Sequence, residues 1–336
     1  MKLSVVIPAH NGERQLRRCL KTLATHTRQP DEIIVVDDAS SDGSANLARE
    51  MGARVLSLPD GPSGPAFARN RGAEAASGDL VVFLDADVAV HPDTLALVEK
   101  YMMEHDEVAA LFGSYDDAPR YRSTVSAYKN LLHHFVHQHG QREASTFWAG
   151  CGAIRRDVFL ALGGFNESYA RPSIEDIELG IRLRRAGYRV WLCPDVQVKH
   201  LKHWRLDSLL RSDIFERAIP WTRLIFASAR LPSDLNLDAK SRLSALAAWA
   251  LVVCPALGLV VPWAALGAFV ALGMLGALNG ELYVFFAQRG GRKLALGAFG
   301  LHTLYLLYSS LVFVGLLTWH LLQKTTGEIK HVRSAR

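Results

Sequence analysis

Residues 3 to 84 alternate short apolar runs with amphipathic stretches. Leu3 to Ile7, Glu32 to Val36, Val55 to Leu58 and Leu80 to Leu84 have strand length, and the stretches between them space their apolar residues as helices do. In the first of these, Leu16, Leu20 and Leu23 form one stripe, with Arg14, Arg17, Arg18 and Lys21 left for solvent. Asp42-Gly43-Ser44 opens a second helix and Ala66 to Ala76 is a third. Strands this apolar are buried on both faces, which predicts βα units on a mostly parallel sheet and an α/β fold.

Beyond residue 200 the pattern changes. From Trp204 to Leu231, Leu206, Leu209, Leu210, Ile214, Trp221, Leu224 and Ile225 recur at helical spacing alongside Arg205, Arg211, Arg217 and Arg223, as in helices lying on a bilayer surface. Leu243 to Gly280 then runs 38 positions without a charge, ~57 Å of helix against a ~30 Å hydrocarbon core. Pro255 and Pro262 offer places to break it into two spans. Leu294 to Gln323 adds 30 uncharged positions. The expected division is 1–203 for the α/β domain, 204–241 for interfacial helices, 242–323 for three transmembrane helices, with two as the alternative, and 324–336 for a basic tail.

Of the 336 residues, 49% are hydrophobic and 21% charged, enough apolar material to exclude a disordered chain. The net charge of +5 divides unevenly: residues 1–181 hold 18 Lys and Arg against 25 Asp and Glu (−7), and residues 182–336 hold 20 against 8 (+12). A basic rear half built on apolar runs points to an anionic membrane surface rather than to nucleic acid. The four cysteines form no CxxC pair, so neither a disulfide framework nor a zinc ribbon is expected. The five residues Leu3 to Ile7 before Pro8 fall short of a signal-peptide core, which leaves the front half expected in the cytoplasm.

The strand Leu80 to Leu84 ends in Asp85-Ala86-Asp87. In extended chain, side chains at i and i+2 share a side, so both carboxylates would address one site beyond the strand's carboxyl end, where open α/β sheets bind ligands. A hard cation such as Mg²⁺ or Mn²⁺ takes one or two carboxylates and completes its shell with phosphate and water. The strand Ile34 to Val36 repeats the design with Asp37 and Asp38, followed by Asp42, which serves equally as a helix cap. Four carboxylates in one crevice would repel unless a metal or hydrogen-bond donors separate them.

Seven stretches in this order resemble glycosyltransferase family 2, whose members are inverting enzymes of the GT-A fold: Val5-Val6-Ile7-Pro8-Ala9-His10-Asn11-Gly12-Glu13, Val36-Asp37-Asp38-Ala39-Ser40-Ser41-Asp42-Gly43, Gly64-Pro65-Ala66-Phe67-Ala68-Arg69-Asn70-Arg71-Gly72, Phe83-Leu84-Asp85-Ala86-Asp87, Ala149-Gly150-Cys151-Gly152-Ala153-Ile154-Arg155-Arg156, Gly163-Gly164-Phe165-Asn166-Glu167 and Glu175-Asp176-Ile177-Glu178-Leu179. The resemblance implies a GT-A domain, Rossmann-like in its sheet and flanking helices. It implies that Pro8, Ala9 and Glu13 line the nucleotide pocket, that Asp38 receives the base, and that Arg69 and Asn70 help hold the nucleoside. Asp85, with Ala86 beside it, faces ribose or a metal-bound water, and Asp87 ligates the metal. His200 is the candidate for a further, late histidine ligand. A UDP-sugar is the expected donor, and the oligomeric state is left open.

Inversion at the anomeric carbon needs a base for the acceptor hydroxyl, and Asp176 matches the family's catalytic base. A helix with acids in its first turn also explains Glu175, Asp176 and Glu178 without catalysis. Trp148, Gly150, Cys151 and Glu175 are the acceptor-side candidates: Trp148 to stack on a sugar or touch lipid, the glycines Gly150 and Gly152 to let backbone approach a ligand. His133, His134, His137 and His139 include a pair four apart on a helix, a zinc-like spacing that no carboxylate or Cys pair completes.

Processive synthases of this family carry a QxxRW signature. The nearest counterpart, Arg217-Ala218-Ile219-Pro220-Trp221, lacks the Gln and the second Arg, and Pro220 would disturb a helix presenting it. A single transfer to a membrane-presented, lipid acceptor is therefore the expected reaction, at the bacterial plasma membrane with the catalytic domain facing the cytoplasm. The alternatives are a polymer-forming synthase and a catalytically silent nucleotide-binding membrane module.

Overall fold

The computed structural model describes residues 1–59, 61–228 and 239–334, with side chains described up to residue 323. The chain divides into two compact units, Met1–Arg205 and Leu206–Arg336.

The first unit is built on one eight-stranded sheet: β1 Leu3–Ala9, β2 Glu32–Asp37, β3 Arg54–Ser57, β4 Leu80–Leu84, β5 Val88–Val90, β6 Val108–Tyr115, β7 Cys151–Arg155 and β8 Arg189–His200, in the order β3-β2-β1-β4-β7-β6-β8-β5. The first four positions are parallel, joined by α1 Glu13–Leu23, α2 Ser44–Glu50 and α3 Pro65–Ala75. Val5, Val6, Ile7, Ile34, Val35, Val36 and the whole of β4 are buried, which is why these strands read as unbroken apolar runs. The other half departs from a parallel sheet: β7 runs antiparallel to both β4 and β6, and β5 antiparallel to β8. The helices α4 Thr94–Glu104, α5 Thr124–Gln138, α6 Arg156–Ala161 and α7 Glu175–Arg185 complete the unit.

Two registers build the site. Leu84 pairs with Cys151, which brings residues 148–150 to the carboxyl end of β4. Val88 pairs with His200, which brings that histidine beside Asp87.

The second unit opens with α8 Leu206–Arg211, a π-helical turn Ser212–Ala218 and α9 Ile219–Ser228. Pro220 falls in the first turn of α9, directly after the widened turn, so its missing N–H is accommodated where the hydrogen-bond ladder already changes register. The part of the interfacial segment at 229–238 lies outside the described residues, as do the side chains of the basic tail 324–336.

The helices α10 Ala239–Gly258 and α11 Leu266–Ser334 carry the apolar runs, linked by a 3₁₀ turn Pro262–Ala265. Within α11, Asn279 and, further on, Gly290 and Gly291 leave helical geometry, Gly291 at φ 71°. A positive φ there suits glycine, and the two departures divide α11 into three helical stretches. Ala247, Ala248, Leu275 and Leu306 pack as one core between α10 and α11, and Trp249 Nε1 donates to Ser310 Oγ at 2.9 Å. Large apolar side chains such as Val260, Trp263, Phe269 and Leu296 point outward.

Candidate active site

The loops at the carboxyl ends of β1, β2 and β4 form the site. β1 lies between the two acid-bearing strands, so Asp38 and Asp85 flank the end of β1 rather than sitting on neighbouring strands. Each carboxylate has its own donors. Asp37 Oδ1 accepts from the Ser40 N–H at 3.3 Å. Asp38 is buried, and its two oxygens accept from the Ser63 and Gly64 N–H groups, both at 2.8 Å. Asp42 lies one residue before the N-cap Gly43 and accepts from the N–H groups of Ser44 at 3.0 Å and Glu13 at 3.1 Å, the first residues of α2 and α1. The repulsion expected of clustered acids is thus met by hydrogen bonding to charged forms.

Pro8 and Ala9 end β1, paired with Val36 and Asp37. Glu13 is half-exposed and its carboxylate crosses over Gly43, where a Cβ would come within 2.5 Å of it. Ala39 and Asn11 both have positive φ, 55° and 49°, and Asn11 Oδ1 accepts from the N–H of Ser41 at 2.8 Å. Non-glycine residues held left-handed in neighbouring loops mark a backbone shaped by its surroundings.

The segment Asp85-Ala86-Asp87 is a tight turn, not extended chain: the Val88 N–H closes it on the Asp85 carbonyl at 3.3 Å, and β5 follows. The expected i, i+2 alignment is therefore replaced by a turn in which the two acids find separate cationic partners. Asp85 Oδ1 accepts from Arg69 Nη2 at 2.7 Å, and Asp87 Oδ2 lies 3.5 Å from His200 Nε2. Burial alone would raise the Asp87 carboxyl, but the charge of His200 and its hydrogen bond outweigh this and hold it below its ordinary value. Asp87, in the turn before β5, and His200, at the end of β8, converge, and an imidazole with a carboxylate fits a divalent cation that takes its remaining ligands from phosphate and water. Among the described residues no group of three His, Cys, Asp or Glu side chains converges.

Arg69, buried on α3, donates through its other nitrogen to Glu175 Oε1 at 2.9 Å. Asn70 turns the opposite way: its amide bonds the backbone N–H and carbonyl of Phe165 at 2.8 and 2.9 Å, and Glu167 at 2.8 Å. Its polar atoms are thus committed to the turn that follows Gly164.

Asp176 is the second residue of α7, and its Oδ2 accepts from the Ala149 N–H at 3.2 Å. One residue on, the Gly150 carbonyl accepts from the Asp85 N–H at 3.3 Å. The segment 148–150 therefore touches Asp176 with Ala149 and the Asp85 turn with Gly150.

Three acceptor-side expectations change. Gly150 faces the protein's own Trp148, where a Cβ would stand 2.5 Å from the indole, so the glycine admits a side chain rather than a ligand. Gly152 likewise lies against Phe147 and the Trp148 backbone. Cys151 is enclosed in β7 beside Leu84, and burial pushes its thiol up to about 12, which removes it from any acceptor surface. Trp148 is buried edge-on against Tyr115 at 4.9 Å and packs with His133 and His137.

His134 and His137 of α5 and His139 just after it bond backbone carbonyls: His134 Nδ1 that of Tyr115 at 2.7 Å, His137 Nδ1 that of Gly113 at 2.9 Å and His139 Nδ1 that of Phe135 at 2.8 Å. Asn130, on the same helix, was not singled out by the sequence pattern and contacts His200.

The family described as Glycosyl transferase family 2 matches residues 4–163, and one described as the N-terminal domain of galactosyltransferase matches residues 129–205. Among relatives, an uncharacterised glycosyltransferase, YibD, of Escherichia coli is 38% identical over 108 residues, 31% of either chain. The O-antigen chain rhamnosyltransferase WbaN of Salmonella anatum is 25% identical over 241 residues, 67% of this chain and 76% of that one. In three of the curated relatives it matches, the chain spans 31%, 17% and 49% of their own length. The fold is shared with the mannosyltransferase PcManGT from Pyrobaculum calidifontis, whose structure was solved with GDP-Man and Mn²⁺; the TM-score is 0.58 at 22% identity, covering 93% of this chain and 87% of that one.

Proposed function

Since the chain belongs to glycosyltransferase family 2 by its N-terminal unit, we propose that it is a divalent-cation-dependent inverting glycosyltransferase that moves one sugar from a nucleoside diphosphate to a lipid acceptor held at a membrane. The observation that carries this reading is the double link between the Asp85-Ala86-Asp87 turn and the start of α7: Arg69 joins Asp85 to Glu175, and residues 149 and 150 join Asp176 to Asp85. Donor-side and acceptor-side carboxylates are held as one piece, which is what a displacement at a single carbon requires.

Pro8, Ala9, Glu13 and Asp38 bound the nucleotide side. Asp38 retains acceptor capacity on its oxygens beyond the two loop N–H groups. Asp87 and His200 would hold Mg²⁺ or Mn²⁺, which supplies charge stabilisation for the departing diphosphate. Asp176 takes the proton of the acceptor hydroxyl while that oxygen bonds the anomeric carbon, and the carbon's bond to the diphosphate oxygen breaks with its electron pair leaving on the nucleoside diphosphate. A phosphate acceptor is already anionic and makes a smaller demand on Asp176.

The lipid part of the reading rests on the second unit, whose helices α10 and α11 turn apolar side chains outward and whose stretch from Leu206 to Ser228 interleaves Arg211, Arg217 and Arg223 with apolar residues. We place the enzyme in the bacterial plasma membrane, multi-pass, with its catalytic unit on the cytoplasmic side. The test uses purified full-length protein in detergent with Mn²⁺ or Mg²⁺, labelled UDP- and GDP-sugars, and a bacterial lipid extract. Label entering the organic phase supports the reading; label only in insoluble polymer or no donor turnover with any sugar overturns it.

A further inference from the structure

The Asp87–His200 pair is braced from behind by a residue with no assigned part. Asn130 sits within α5, 2% exposed, with its Oδ1 2.6 Å from His200 Nδ1. An amide oxygen accepts and does not donate, so Nδ1 carries a proton and Nε2 is the nitrogen turned to Asp87. The Tyr115 ring lies 4.3 Å from the imidazole and within 8° of parallel, which fixes the plane in which Nε2 points.

Asn130 Nδ2 is buried without a hydrogen-bond partner among the described residues. A leucine would fill a similar volume without that unpaired donor. What the amide contributes and an apolar side chain cannot is the oxygen on Nδ1.

We propose that Asn130 is a positioning residue for cation binding: it holds His200 with the proton on Nδ1 and aims the Nε2 lone pair, once its proton is displaced, at the site shared with Asp87. An acceptor on Nδ1 also makes Nε2 the better donor to a metal. The inference rests on the reading of Asp87 and His200 as ligands, and the test separates the two.

The full-length protein in detergent is titrated with Mn²⁺, and free Mn²⁺ is counted by electron paramagnetic resonance, with no sugar and no turnover. His200→Ala weakens binding. Asn130→Leu weakens it by roughly tenfold or more, the usual size for losing a partner behind a histidine ligand. Asn130→Asp, which keeps an acceptor oxygen on Nδ1, stays within about threefold of wild type, well inside that loss. Spin-echo modulation from a coordinated ¹⁴N is present in wild type and Asn130→Asp and absent in Asn130→Leu. Wild-type Mn²⁺ affinity in Asn130→Leu together with weakened His200→Ala overturns the positioning role alone. Wild-type affinity in His200→Ala overturns the ligand reading beneath it. An Asn130→Asp protein as weak as Asn130→Leu shows that the amide acts by packing, which also overturns the proposal.

Discussion

Arg69 donates to Glu175 across 2.9 Å in a contact where the side chains are only 7% and 6% exposed, though the two residues lie 106 positions apart in the chain. Arg69 also reaches Asp85, so a single guanidinium ties α3, the turn after β4 and the start of α7. Arg69→Met leaves a buried carboxylate without its cation, and the expected loss is about 3–5 kcal/mol of stability. Chemical denaturation of the purified protein, followed by tryptophan fluorescence, measures it; a change below 1 kcal/mol would show that the trio is not the brace described.

Gly64 has φ 94°, donates its N–H to Asp38, and faces the Ala170 carbonyl where a Cβ would intrude. Gly64→Ala should displace the loop that holds Asp38 and weaken nucleotide binding several-fold, at the order of one lost hydrogen bond, while Mn²⁺ affinity is unchanged. Calorimetric titration with nucleoside diphosphate reads the first and the Mn²⁺ titration the second.

Asp116 is buried beside His91 Nε2 at 3.0 Å and Lys199 Nζ at 2.7 Å. Burial would raise its carboxyl, and the two partners more than offset this and leave it depressed. A depressed folded value means the stabilisation is complete above the ordinary carboxylate value of 3.8 and is lost as pH falls from there through the folded value. Asp116→Asn should lower the thermal midpoint at pH 7 and show a shallower further fall between pH 4 and pH 3. Parallel acid limbs in the two proteins would count against the ion pair.

The first strands and helices were legible because β1, β2 and β4 are buried along most of their length and so read as apolar runs, while the half-exposed β3 was marked by its short apolar pair, Val55 and Leu56. The second half of the sheet was not. β7 passes through Gly152 and Ala153 and reads as loop, yet it is this antiparallel strand that carries residues 148–150 to the site. Asp85 and Asp87 were found from spacing, but their turn geometry depends on β5 pairing with β8, which no local pattern announces. Asn130 is a polar residue on an amphipathic helix, and only its contact with His200 distinguishes it.

We expect three spans: α10, the apolar part of α11 before Gly290, and the part after Gly291. Three spans would place the end of the chain on the opposite side of the membrane from the catalytic unit. A C-terminal alkaline phosphatase fusion in bacteria should be active and a green fluorescent protein fusion dark; the reverse pattern would mean an even number of spans.

The most direct measurement compares wild type, Asp87→Ala and Asp176→Asn for label moved from a nucleotide sugar into lipid. Removing the carboxylate of the cation site should cost at least ~100-fold in kcat, a few kcal/mol of transition-state stabilisation. Asp176→Asn should cost ~10²- to 10⁴-fold with a hydroxyl acceptor and much less with a phosphate acceptor, which separates the two lipid classes. An Asp87→Ala protein that transfers sugar at the wild-type rate would contradict the account.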